Sequence, residues 1–176
     1  MLSGPQNSSA KADLAANHLA ANLLRLRERI AAAASRAGRD VDSVTLLAVS
    51  KGQSVASLQA AQALGLAAFG ENYVEEALPK IQALHGNAPA WHFIGRPQGN
   101  KTRDLATHFD WVHGIDRARI AGRLAEQRPA GASPLNVCVK VNVAGEASKG
   151  GVTPAEVPAL IDALADAGVP SIEATS

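Results

Sequence analysis

The chain is poor in cysteine. Cys138 stands alone among 176 residues, which excludes an internal disulfide and leaves a reducing cytoplasm as the simplest setting. Aromatic residues are scarce as well. Two tryptophans, one tyrosine and three phenylalanines are too few for a run of base-stacking platforms. A formal net charge of +1 offers no clustered basic surface for nucleic acid and none for an anionic membrane. No apolar run approaches the roughly 20 residues of a membrane span. The first residues, MLSGPQNSSAKADLAANHL, lack the basic start and apolar core of a secretory signal. No GxGxxG or GxxxxGK[ST] loop follows any apolar run, and no GxSxG elbow is present. His108 and His113 do not have a metal-ligand spacing, so no metal site is expected.

What is present is a 47% apolar chain long enough for one domain with a proper core. Residues 1–9 read as a disordered tail and residues 10–176 as one domain, which the resemblance given below implies to be a partial barrel. Leu19, Leu23, Leu26 and Ile30 recur at helical spacing in a long helix over 10–37 that ends at Gly38. A strand–helix rhythm follows. Strands are expected at 44–49, 67–69, 91–94, 111–113 and 135–143, with a sixth starting near Ser171. Helices are expected at 55–64, 73–84, 98–107, 117–127 and from Thr153 to about Ala167. Ser54, Asn72, Asp116 and Thr153 are read as their caps. Alternating strands and helices imply parallel pairing, as a doubly wound sheet or a (β/α)₈ barrel. Eight units take about 250 residues, more than this chain has.

In parallel α/β folds the site lies at the C-terminal strand ends. Those ends carry Ser50-Lys51, Gly70-Glu71-Asn72, His92 leading to Gln98-Gly99-Asn100-Lys101, His113-Gly114-Ile115-Asp116, and Asn142 leading to Ser148-Lys149. Two readings stand for Lys51. It is a strand-end lysine reaching water, or an amine in a partly dry mouth, where burial favours the neutral, nucleophilic form. Asn72 is a helix cap or a pocket residue. His92 is a satisfied core histidine or a ligand-facing one. The Gly-rich segment around Ser148 and Lys149 is a turn or an anion-binding loop.

The stretches "LLAVSK" (46–51), "FGENYVEE" (69–76), "WHFIG" (91–95), "QGNK" (98–101), "HGIDR" (113–117) and "VNVAGEASKGGV" (141–152) occur in the order of one family. Over about residues 14–170 the chain closely resembles the pyridoxal-phosphate homeostasis (YggS/PROSC) proteins. The resemblance implies the TIM-type barrel of the alanine racemase N-terminal domain, incomplete here at about five βα units plus an N-terminal helix. It implies pyridoxal 5′-phosphate as cofactor, held as an internal aldimine on Lys51. Asn72, His92, Asn142 and Lys149 are the further cofactor-binding candidates. It implies a cytoplasmic carrier that keeps vitamin B6 balanced without assigned turnover, with apo enzymes that use the cofactor as partners and a monomeric state. A racemase- or decarboxylase-like enzyme and a non-functional fragment are the alternatives. Three departures stand out: Gly52-Gln53 after the lysine, Pro97 and Gly99 in the third strand-end loop, and an ending at "PSIEATS" where the family continues for about three units. The last points to a truncated member, with the phosphate-binding loops beyond Ser176 and open strand edges that invite association.

Overall fold

The computed structural model describes residues 6–87, 89–146, 149–167 and 171–175. They form two compact units, one of residues 1–47 and 53–67, the other of 48–52 and 68–176.

The first unit pairs two helices, α1 (Gln6–Arg36) and α2 (Val55–Ala63). Helix α1 starts four residues before the sequence-based boundary. The rest of the expected tail, residues 1–5, lies outside the described residues. Leu23 and Ala34 of α1 and Leu58 and Ala61 of α2 are buried. Ser54 caps α2 as expected, its hydroxyl accepting the Ser57 N–H at 3.2 Å. The other end of α2 is closed from α1. The Arg27 guanidinium donates to the carbonyls of Leu64 (3.1 Å) and Gly65 (3.3 Å), groups a helix end otherwise leaves without partners.

The second unit is a six-stranded parallel sheet in sequence order: β1 (Ala48–Val49), β2 (Ala68–Glu71), β3 (Ala90–Phe93), β4 (Trp111–Ile115), β5 (Asn136–Lys140) and β6 (Ser171–Thr175). Between strands run α3 (Val74–Ala83), α4 (Thr102–His108), α5 (Ala118–Gln127) and α6 (Val157–Asp166). Consecutive parallel strands joined through helices are the repeating unit of a TIM-type barrel, here in part.

The register sorts side chains by face. Glu71, Phe93, Val112 and Val137 pair in one row and are each at most 4% exposed. Phe93 meets Phe109, which follows α4, edge to face. The adjacent row, on the opposite face, crosses all six strands: Val49, Gly70, His92, Trp111, Asn136 and Ser171. Asp110 aligns three strand starts. Its carboxylate accepts the Trp91 N–H at 2.7 Å, its N–H reaches the Trp91 carbonyl, and its own carbonyl accepts the Asn136 N–H.

Several expected boundaries shift. The first strand shrinks from 44–49 to two residues, Ala48–Val49, and a 3-10 turn, Val41–Ser43, precedes the lost part. Asp40 caps that turn and the Val44 N–H bonds back to the Val41 carbonyl. Helix α4 starts at Thr102 rather than Gln98. Gly99 and Asn100 are poor helix formers, and the Thr102 hydroxyl takes the Gly99 carbonyl at 3.0 Å. The strand expected over 135–143 ends at Lys140, and beyond it Val141 only bridges Val152. Thr153 and Glu156 form the expected capping box, but its first turn is 3-10. Asp116 is not the cap of α5. That position falls to Arg117, which Asp116 instead binds at 2.8 Å.

Candidate functional site

The candidates lie in or just after β1, β2, β3 and β5. β1 ends its ladder at Ser50, whose N–H bonds the Gly70 carbonyl at 2.9 Å. Ser50 turns toward the buried row, its hydroxyl donating to Glu71 Oε1 at 2.5 Å. Lys51 is the next residue and opens the turn that follows β1. Its side chain is exposed and has no hydrogen-bond or ion-pair partner among the described residues.

Asn72 is not the helix cap that its position suggested. Tyr73 holds that place without a side-chain bond, and Glu75, the expected capping-box partner, forms an ion pair with Lys101. The Asn72 amide oxygen Oδ1 is buried with no partner among the described residues. A buried acceptor without a donor costs about 1–3 kcal/mol, so the fold tolerates Asn72 rather than gaining from it. Its backbone is held close by the next strand end. A Cβ on Gly95 would lie 2.3 Å from the Asn72 carbonyl oxygen, so only glycine lets the two loops approach this closely.

His92 is 8% exposed. Trp111 stacks on its ring at 5.4 Å between centroids, and its Nδ1 lies 3.0 Å from Nε2 of His113. Burial first, then the neighbouring His113, hold its pKa down at about 4; Asp110 acts weakly the other way. The imidazole is therefore neutral at pH 7. His113 is the residue the sequence-based reading left out of the site. Its signal was there, since β3 and β4 each place a histidine near the strand end. Only the pairing of His92 with Trp111 brings the two rings together.

This pair sets a pH dependence. An unfolded chain takes up a proton at His92 near pH 6.5, the folded chain only near 4, so the unfolded state binds more protons between those values. Stability attributable to His92 is complete above about 6.5 and falls as pH drops toward 4, by an amount of order 3 kcal/mol. Urea denaturation of wild type and His92→Gln at pH 7 and 4.5 checks it. Wild type is expected to lose more on acidification than the variant, and equal losses would refute the assignment.

Asn142 and Lys149 are placed beyond β5. The Asn142 amide donates to the Glu146 carbonyl at 3.0 Å and, more distantly, to that of Lys149 at 3.5 Å. It thus shapes the loop that carries Lys149, whose side chain is exposed. Ala147 and Ser148 lie outside the described residues. No hydrogen bond or ion pair among the described residues links Asn142 or Lys149 to Lys51, Asn72 or His92. No metal-ligating cluster occurs among the described residues, and none of their helices is long and apolar enough to cross a membrane.

The chain belongs to the family described as alanine racemase, N-terminal domain, which it matches over residues 21–174. Among curated relatives, the pyridoxal phosphate homeostasis protein of Pseudomonas aeruginosa is 54% identical over 146 residues, covering 83% of this chain and 64% of that protein. The protein of the same name from Escherichia coli K12 is 48% identical over 153 residues, covering 85% of this chain and 65% of that one. The chain thus spans just under two thirds of the length of these relatives. Among solved structures, PipY of Synechococcus elongatus with PLP bound is 30% identical with a TM-score of 0.67, covering 85% of this chain and 70% of that one. Alanine racemase from Bacillus anthracis, at 15% identity and a TM-score of 0.55 over 94% of this chain and 39% of that one, shares the fold.

Proposed function

We propose that this chain binds pyridoxal 5′-phosphate, with Lys51 carrying it as an internal aldimine. The observation that carries this reading is the placement of Lys51. Its exposed side chain follows the end of β1, the strand that pairs with β2, and just past the end of β2 Asn72 has a buried amide oxygen without a partner among the described residues. The cofactor supplies an aldehyde. A neutral lysine amine adds to it, forming C=N and releasing the carbonyl oxygen as water. Neutral His92 and the Asn72 amide suit the ring side of such a ligand, and Lys149, on the loop shaped by Asn142, suits an anionic group. The names of the relatives and the PLP-bound state of PipY support the same ligand. The names also favour cofactor homeostasis over turnover, and our reading adds a cytoplasmic setting with apo enzymes as recipients.

The test is direct. The chain is incubated with pyridoxal 5′-phosphate, reduced with borohydride and mapped by peptide mass spectrometry. Wild type is expected to carry the pyridoxyl label on the Lys51 peptide and Lys51→Ala to lose it with its near-visible absorbance. An adduct of equal yield in Lys51→Ala would sink the assignment.

A further inference from the structure

On the sheet face opposite His92 lies a cluster of charges that the candidate site does not use. Glu71 is fully buried, and the Lys80 side chain on α3 is 6% exposed. The Lys80 ammonium donates to Glu71 Oε1 at 2.7 Å, to Glu76 Oε1 at 2.7 Å and to the Ser50 carbonyl at 2.8 Å. An ammonium has three N–H donors, and each has an acceptor here. Glu76 Oε1 also accepts the Gly52 N–H at 2.5 Å.

Those two backbone contacts are the important ones. The Ser50 carbonyl belongs to the peptide entering Lys51, and the Gly52 N–H to the peptide leaving it. Both peptide planes flanking the Lys51 Cα are thus held by side chains of α3. β1 has ended here, and Gly52 turns the chain in the left-handed region at φ +72°. A lysine side chain has four rotatable bonds, so the placement of its amine depends on how firmly its Cα is fixed.

We propose that the Glu71–Glu76–Lys80 network is a positioning clamp for Lys51, acting through the backbone from the sheet face opposite His92. Lys80 and Glu76 are positioning residues and do not touch the ligand. The inference rests on the reading of Lys51 as the carrier lysine.

Glu76 is the residue to change, since its side chain is 33% exposed and its loss leaves the Lys80–Glu71 pair intact. Glu76→Ala and Glu76→Gln are compared with wild type in the full chain by two measurements. One is amide hydrogen exchange at Gly52 without cofactor. The other is the rate of borohydride-trapped labelling of the Lys51 peptide at limiting pyridoxal 5′-phosphate. Glu76→Ala is expected to speed exchange at Gly52 and to slow labelling by about tenfold or more. Glu76→Gln keeps an acceptor oxygen and is expected to restore both. A folded Glu76→Ala that labels at the wild-type rate overturns the clamp. A wild type that takes no label on Lys51 overturns the carrier reading instead, and the clamp is then decided by exchange, with unchanged protection of Gly52 in Glu76→Ala counting against it.

Discussion

Lys80→Met is expected to cost about 3–5 kcal/mol of folding stability, because it strands Glu71 in the core without its cation. Glu71 is fully buried and already has one oxygen, Oε2, without a partner. Removing Lys80 takes the ammonium from its other oxygen and also frees the Ser50 carbonyl. Burial opposes the ammonium form of Lys80, but the carboxylates of Glu71 and Glu76 outweigh it and hold the group above the ordinary lysine value. A base raised in this way contributes fully below the ordinary lysine pKa and loses its contribution as pH climbs through the raised one. The loss in Lys80→Met is therefore expected to be constant across neutral pH and to shrink only in strong alkali. Denaturant midpoints at pH 7 measure it. Adding Glu71→Gln to Lys80→Met neutralises the stranded charge and is expected to recover part of the loss. A single-variant loss below about 1 kcal/mol, the range of an exposed pair, would contradict the burial of this network.

Gly95→Ala is expected to be nearly as damaging, for a steric reason. The new methyl would lie 2.3 Å from the Asn72 carbonyl oxygen, 2.9 Å from the Phe93 ring and 3.0 Å from the Asn72 carbonyl carbon. Two of those atoms are backbone and cannot rotate aside, so the β2 and β3 strand ends must separate. Overpacking of this kind costs about 1–3 kcal/mol or more. The displaced segment contains Asn72, so weaker uptake of pyridoxal 5′-phosphate should accompany the loss of stability. Gly86→Ala is the control. Nothing lies within 4 Å of its Cβ position, and it is expected to stay within about 0.5 kcal/mol of wild type. Equal stabilities for the two variants would refute the close approach.

The parts legible in the sequence were those set by local pattern. The strand–helix alternation, the Ser54 cap and the Thr153–Glu156 box all follow from residues within one turn of each other. So does the position of Lys51 at a strand end. What escaped depended on neighbours distant in sequence. Lys80 reads as a solvated helix lysine four residues from Glu76, and nothing local reveals that Glu71 lies beneath it. Asn72 has the composition of a cap, and Gly95, more than twenty residues on, fixes its backbone. The site residue His113 was set aside for lacking a metal-ligand spacing, whereas its partner is a ring one strand over.

That ring contact has a consequence for hydrogen placement. When both rings are neutral, imidazoles joined through Nδ1 of His92 and Nε2 of His113 need one donor and one acceptor. If His92 donates, its Nε2 is bare and the His113 proton sits on Nδ1. If His113 donates, both assignments reverse. The two remaining nitrogens therefore always have opposite character, one able to give a proton and the other to take one. The two tautomer assignments are therefore coupled, and neither ring changes its own without the other.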